Sequence, residues 1–230
     1  MANKSRGGGV RNQRPGNTGN KSKQVVFDET QKLLSGQPEI VQRIVKRYID
    51  DGGNPEKSSA ILIPDYIKEH GLSPENIIEA ATLIAYTGDL YADMNKSLAS
   101  GVKNVEIANA EKALGNAVKK LRPPFEGTAY RRVGAGGKSA KQFDEIFKSA
   151  TGRVEFKTAL STTNSSKSDY HPERSNTGNF YVIKSKTGKE ITNFSIHSEE
   201  REVLFGPGSK FNVAGAYTKG KQRFIELYEI

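Results

Sequence analysis

The chain has 230 residues, a formal net charge of +9 at pH 7 and no cysteine, which excludes a disulfide framework, a thiolate zinc site and a cysteine nucleophile. The histidines, His70, His171 and His197, lie far apart in the sequence, so we expect no bound metal. No apolar run approaches the length of a membrane span, and no apolar segment typical of a signal peptide follows Met1. We therefore expect neither a membrane anchor nor a classical export signal.

Residues 1–23 contain six basic residues, no acidic residue and almost no apolar side chain. Such a segment cannot bury enough surface to offset the entropy lost on ordering, so we predict that it is disordered. Its composition is typical of a linker or a solubilising tail, and an arm that binds nucleic acid is the alternative. The folded domain is therefore expected over residues 24–230.

From residue 24 to residue 126, apolar residues recur at the spacing of amphipathic helices. Ser73 and Pro74 begin one helix, and Gly88 interrupts the region before the next. A last helix is predicted near Val105–Leu121, after which two consecutive prolines end the region. The sequence thus predicts an N-terminal helical lobe.

Residues 127–230 show a different sequence pattern, in which short runs of apolar and β-branched residues are separated by Gly, Ser, Asn and Lys turns. One helix is predicted around Ala140–Ala150. We predict an α+β fold in which the helical lobe is followed by a mostly antiparallel two-sheet β-sandwich. The predicted strands are Thr128–Val133, Val154–Ala159, Phe180–Ile183, Ile191–Ile196, Glu202–Phe205, Phe211–Tyr217 and Phe224–Ile230.

Three β elements carry polar residues within otherwise apolar runs. The first contains Arg131, the second Ser161 and Thr162, and the third Glu200 and Glu202, one residue apart. The period of two in a strand predicts that both glutamates point to the same face, where their repulsion favours a cation or a polar ligand between them. Each element alone is also typical of an ordinary solvated surface, but their succession after a helical lobe indicates a functional site.

These elements resemble the arginine–serine–glutamate class of mono-ADP-ribosyltransferases, which includes bacterial toxins, phage enzymes and vertebrate ecto-enzymes. The resemblance covers about Tyr86 to Ile230, with Arg132 in place of a usual glycine. It implies an α+β fold of this class and NAD as the required cofactor, without a metal. Its motifs are the helix within Tyr86–Leu98, the first core strand Gly127–Arg131, the Ser-Thr-Ser motif at Ser161–Thr163 and the Glu-X-Glu signature at Glu200–Phe205.

Cleavage of the nicotinamide–ribose bond of NAD forms an oxocarbenium-like centre, which a carboxylate stabilises. The resemblance implies that Glu202 is this carboxylate, that the Ser161 hydroxyl supports it, and that Arg131 binds the pyrophosphate through its fork of donors. Thr162 completes the Ser-Thr pair of the NAD site. Glu200 would meet the acceptor, and an acid at this position implies a guanidinium acceptor, whereas a glutamine would imply an amide.

Residues 164–178 take the place of the family's phosphate–nicotinamide loop. The resemblance assigns Tyr170 to stacking on the nicotinamide and Arg174 to a phosphate, and an exposed loop with no contact to NAD is the alternative. The glycine-rich segment Gly134–Ser139 is similar to a phosphate-binding Walker loop, but Arg132 occupies the position of its first glycine. We therefore predict a flexible loop that leads into the Ala140–Ala150 helix.

The resemblance implies an NAD-dependent transferase that modifies arginine on a target protein, acting as a toxin, an effector or a phage enzyme. Such an enzyme would be secreted or injected and would act in the cytoplasm of a target cell, where an inhibitory immunity protein is a further expected partner. RNA or another nucleic acid as acceptor is the first alternative, which the basic residues permit. A catalytically silent nucleic-acid-binding module is the second.

Overall fold

A computed structural model of the chain describes residues 22–54, 57–100 and 105–230, without the side chains of Asn95 and residues 98–100. The helical lobe comes first, and one further helix follows the first strand. This order confirms the α+β fold class predicted from the sequence. The α-helices in the described residues are α1 Lys23–Ser35, α2 Glu39–Tyr48, α3 Ile63–His70, α4 Pro74–Ala85, α5 Tyr91–Ser100, α6 Val105–Lys120 and α7 Gly137–Ser149.

Helix α4 forms the centre of the helical lobe. Its first turn is capped by the Ser73 hydroxyl, which accepts a hydrogen bond from the Asn76 amide, and Pro74 occupies the first helical position. Its Ala, Ile and Leu side chains are buried beneath α2, α3 and α6. The helix continues into a π-helical turn, Tyr86–Leu90, that contains Gly88. This turn faces the sheet.

Eight strands form one hydrogen-bonded sheet in the order β2-β7-β8-β4-β1-β3-β6-β5. All neighbouring strands are antiparallel except β4 and β8, which are parallel. The mostly antiparallel arrangement predicted from the sequence is thus confirmed. The strands are β1 Gly127–Val133, β2 Arg153–Phe156, β3 Leu160–Thr163, β4 Thr177–Ser185, β5 Lys189–Glu190, β6 Glu202–Phe205, β7 Ser209–Lys219 and β8 Lys221–Glu229.

The two predicted sheets are the two parts of this single sheet. Strands β1 and β3 share one residue pair, Tyr130 with Thr163, and this bridge links a five-stranded part to a three-stranded part. Apolar side chains from both parts form one core with Phe143 of α7, so the parts fold over each other as the layers of a sandwich would. The sequence predicted two separate sheets, whereas the structure joins them by backbone hydrogen bonds between β1 and β3.

One predicted strand, Ile191–Ile196, is wrong. Residues Thr192–Phe194 form a 3-10 turn, because Ile191 and Phe194 bury their side chains in the core of the helical lobe rather than on the sheet. That core also includes Leu204 of β6. The segment before β6 therefore joins the two lobes.

The N-terminal boundary lies slightly earlier than the sequence suggested. Ser22 and Lys23 form the cap and the first residue of α1, and the Ser22 hydroxyl accepts a hydrogen bond from the Val25 amide. Residues 1–21, the rest of the segment predicted to be disordered, lie outside the described residues. No helix within the described ranges combines the length and the apolar character needed to cross a bilayer.

Deletion of residues 1–21 should leave the melting temperature unchanged, because these residues offer almost no apolar side chain to a core and the Ser22 cap is retained. Deletion of residues 1–27 is the matched control. It also removes the buried Phe27 and should lower the melting temperature. Thermal unfolding followed by circular dichroism measures both. Destabilisation by the shorter deletion would place the basic segment inside the domain.

Candidate active site

A cavity of about 960 Å³ lies between the helical lobe and the sheet. Its walls come from the π-helical turn, the start of α7, strands β1 and β3, and the segment around β6. All but one of the site residues predicted from the sequence line it, and the exception is Arg174. The residues brought together are Arg131, Ser161, Thr162, Tyr170, Glu200 and Glu202.

Strand register places the central residues in a row across the sheet. Thr163 of β3 pairs with Tyr130 of β1 on one side and with Glu202 of β6 on the other. Ser161 lies two residues from Thr163, so its side chain shares the face of Glu202 and donates a hydrogen bond to the carboxylate. Arg131 Nη1 donates to the Ser161 carbonyl oxygen at 2.6 Å. Arg131, Ser161 and Glu202 are therefore directly connected.

Glu202 is a buried carboxylate, with 5% of its surface exposed. Burial raises the pKa of Glu202 to about 7, and the neighbouring charge of Glu200 acts in the same direction. The hydrogen bond from Ser161 and the charge of Arg131 act in the opposite direction, because both favour the ionised form. The carboxylate therefore changes its charge near neutral pH, and its ionised form is favoured by Ser161 and Arg131.

Glu200 does not lie on the strand, and the period-two argument that placed it there is wrong. It ends a 3-10 turn, Ser198–Glu200, and Arg201 adopts a left-handed conformation with φ of 46°. This conformation interrupts the extended backbone between the two glutamates. Both glutamates nevertheless line the cavity, because the Thr163 hydroxyl donates to the Glu200 carbonyl oxygen and holds the turn beside β3.

The charge around Glu200 is predominantly acidic. Burial is the main cause of a raised pKa for the Glu200 carboxyl, and the negative charges of Glu199 and Asp169 raise it further. His197 acts in the opposite direction. Glu200 thus lines the cavity with a raised pKa, so its carboxylate can accept a proton or pair with a cation.

The remaining predicted residues differ in position. Tyr170 lines the cavity with 51% of its surface exposed, and burial together with the charge of Glu200 raises the pKa of its hydroxyl. Thr162 is buried, and its hydroxyl donates to the Val203 carbonyl oxygen at 2.6 Å, so it joins β3 to β6. Arg174 is exposed in a 3-10 turn outside the cavity lining. Arg174 is therefore not placed for a phosphate in this conformation.

The loop that carries Tyr170 is fixed to the outer face of the sheet. The Gln222 side-chain amide of β8 donates to the carbonyl oxygens of Pro172 and Ser175, each at 2.7 Å. The His171 ring packs edge-on against Tyr130, with 4.3 Å between centroids. These contacts direct Tyr170 into the cavity and turn the residues after it towards solvent.

The cavity is also lined by two segments that the sequence analysis did not assign to the site. One is the turn around Thr87 and Gly88, with Asp89 and Tyr91 beside it, and its signal was the motif at Tyr86–Leu98. The other is Gly134–Ser139, which leads into the predicted helix, although α7 already begins at Gly137. Within the described residues no group of three or more His, Asp or Glu side chains could hold a metal ion.

Glu202→Gln should stabilise the protein more at pH 8 than at pH 4. The folded-state pKa of Glu202, about 7, lies above the unfolded value of 4.5, so the wild type loses stability as pH rises from about 4.5 to 7. Glutamine cannot ionise and avoids this loss, which is on the order of 3 kcal/mol for the shift involved. Urea unfolding at both pH values measures it.

Glu126→Gln removes an equal charge from an exposed position and controls for net charge. If Glu202→Gln changes the free energy of unfolding equally at pH 4 and pH 8, the raised pKa of Glu202 is contradicted.

The profile of the ADP-ribosyltransferase exoenzyme family matches residues 64–226 of this chain. A stretch of 142 residues is 28% identical to Mav of Mycobacterium avium (strain 104), provisionally named an NAD(+)–arginine ADP-ribosyltransferase. That alignment covers 62% of this chain and 16% of Mav, so the chain matches a small part of that relative.

Two solved structures are similar in fold. ADP-ribosyltransferase HopU1 of Pseudomonas syringae pv. tomato DC3000 superposes with a TM-score of 0.59 at 19% identity, over 83% of this chain and 95% of HopU1. The type III effector XopAI from Xanthomonas axonopodis pv. citri gives a TM-score of 0.60 at 16% identity, over 91% of this chain and 100% of the truncated XopAI chain. Since the family profile spans most of the chain and these structures share its fold, the chain belongs to the ADP-ribosyltransferase exoenzyme family, which takes ADP-ribose from NAD.

Proposed function

We propose that this protein transfers ADP-ribose from NAD to the side chain of an arginine on a target protein and releases nicotinamide. The observation that carries the proposal is one cavity in which a buried Glu202, bonded to Ser161 and close to Arg131, lies behind an acidic Glu200 at the mouth. The provisional name of Mav supports arginine as the acceptor. The type III effector XopAI, which shares the fold, supports a role as an effector delivered into a target cell.

In the first step, the bond between the nicotinamide nitrogen and the ribose carbon breaks, and nicotinamide leaves with the electron pair. Positive charge develops on the ribose ring, and the ionised Glu202 carboxylate stabilises it because the buried site screens the interaction poorly. The Ser161 hydroxyl holds this carboxylate in place. Arg131, one strand away, presents its guanidinium to the pyrophosphate.

In the second step, a nitrogen of the acceptor guanidinium bonds to the same ribose carbon and loses a proton. The raised pKa of the Glu200 carboxyl makes it a better proton acceptor than an ordinary surface glutamate. Before the reaction, the same carboxylate pairs with the cationic guanidinium and orients it. Glu200 therefore acts on the acceptor, whereas Glu202 acts on NAD.

The local charge favours a protein acceptor over a nucleic acid. Although the chain carries a net charge of +9, Glu199 and Asp169 lie close enough to Glu200 for their negative charges to raise its pKa. These acids attract a guanidinium and repel a phosphate backbone. A labelled-NAD reaction with cell lysate, with and without nuclease, separates the two acceptors, since label on protein that resists nuclease supports the proposal and label that nuclease removes contradicts it.

Arg131→Ala should weaken NAD binding by on the order of 1.5–3 kcal/mol, because a charged hydrogen-bonding group is lost. Arg131→Lys should restore part of the affinity, since an ammonium has no fork of donors. Arg174→Ala should change the affinity by about 0.5 kcal/mol or less, because Arg174 lies outside the cavity. Calorimetric titration with NAD measures all three, and a loss in Arg174→Ala as large as that in Arg131→Ala would contradict the assignment of the phosphate contact to β1 alone.

The two glutamates should differ in which reaction they affect. Glu202→Gln should lower both NAD hydrolysis and transfer to arginine by a factor of about 100 or more, since both reactions pass through the same positive centre. Glu200→Gln should spare hydrolysis and reduce transfer. Nicotinamide release with and without an arginine acceptor measures both activities.

Ser161→Ala is expected to lower turnover more than NAD affinity, because the Ser161 hydroxyl holds the Glu202 carboxylate in place.

Melting temperatures measured at the assay pH identify any variant that is misfolded. The same fractional loss of hydrolysis and transfer in both glutamate variants would contradict separate roles for Glu200 and Glu202.

A further inference from the structure

The turn that carries Glu200 is held from the helical lobe by a second side chain. The Ile196 amide, four residues before Glu200, donates to the Thr87 hydroxyl oxygen at 3.1 Å. Thr87 is buried in the π-helical turn after α4, and its hydroxyl in turn donates to the Ile84 carbonyl oxygen at 2.8 Å. One hydroxyl therefore connects the backbone of α4 to the backbone of the Glu200 segment.

The residue next to Thr87 allows this close approach. A Cβ atom on Gly88 would lie 3.0 Å from Cδ1 of Ile196, closer than most such contacts, so the absence of a side chain leaves room for Ile196. Earlier in the segment, the Phe194 ring packs edge-on against Tyr66 of α3, with 5.4 Å between centroids. The segment thus rests on the helical lobe before it turns towards Glu200.

Glu202 is held differently. It lies on β6, where it pairs with Thr163, and its carboxylate is bonded to Ser161, so its position depends on the sheet. Glu200 lies between two attachments, the Thr87 contact before it and the Thr163 hydroxyl at its own carbonyl. Loss of the first would free the segment over Ile196–Glu200 without altering the strand that carries Glu202.

We infer that Thr87 is a positioning residue for the acceptor step. Resting on the proposed function, this assigns a residue of the helical lobe to the placement of Glu200. Thr87 touches neither the acceptor nor the reacting atoms in this role. It fixes the segment that presents Glu200, so the transfer of ADP-ribose depends on it more strongly than the cleavage of NAD does.

Thr87→Val keeps the shape of the side chain and removes the hydroxyl, whereas Thr87→Ser keeps the hydroxyl. In Thr87→Val, kcat/KM for the arginine acceptor should fall by about tenfold relative to NAD hydrolysis, the scale of one hydrogen bond. Thr87→Ser should restore most of the ratio of transfer to hydrolysis. Hydrogen exchange at the Ile196 amide should become faster in Thr87→Val and remain slow in Thr87→Ser.

Thr30→Val is the matched control. Thr30 is also buried in the helical lobe, and its hydroxyl donates to the Val26 carbonyl oxygen at 2.8 Å within α1, away from the cavity. It should lower stability without changing the ratio of transfer to hydrolysis. An unchanged ratio in Thr87→Val, or the same change in Thr30→Val, would overturn the inference.

The proposed function can be wrong independently of the role of Thr87, and it is wrong if the wild-type protein neither hydrolyses NAD nor modifies arginine. In that case the exchange rate of the Ile196 amide still decides whether Thr87 holds the segment. An unchanged rate in Thr87→Val would overturn the attachment itself.

Discussion

The site depends on a carboxylate that is kept out of water. Burial of Glu202 disfavours its charge, and only two favourable contacts, from Ser161 and Arg131, oppose this effect. Both partners come from neighbouring strands, so the sheet has to be in register for the carboxylate to be supported. The single residue pair between β1 and β3 is therefore the connection on which the geometry of the site rests.

The two glutamates are one residue apart in sequence and belong to different kinds of structure. Glu202 is on a strand inside the core, and Glu200 ends a turn that reaches the helical lobe through Ile196. A rigid strand suits the role that we propose for Glu202, since stabilisation of a developing charge depends on a fixed position. A turn suits the role that we propose for Glu200, which is to meet an acceptor. The left-handed Arg201 separates the two environments.

Sequence patterns predicted the α+β order and the residues Arg131, Ser161 and Glu202, because polar residues stand out within short apolar strands and their order matches a known class. The same patterns misplaced Glu200, since alternation holds only where the backbone is extended and the positive φ of Arg201 has no reliable sequence signal. They also suggested a phosphate contact for Arg174, which the contacts of Gln222 turn outwards. Contacts between residues distant in sequence decide such details.

The net charge of the chain is a poor guide to the charge near Glu200. The positive charges of the chain include six in residues 1–23, whereas the carboxylates of Glu199 and Asp169 lie near Glu200. At physiological ionic strength, charges separated by more than about 8 Å are largely screened, so the nearest groups determine what can approach Glu200. A cationic side chain is attracted there by the same acids that raise the pKa of Glu200. For the arginine acceptor that we propose, the same field would favour binding and would strengthen the base that removes its proton.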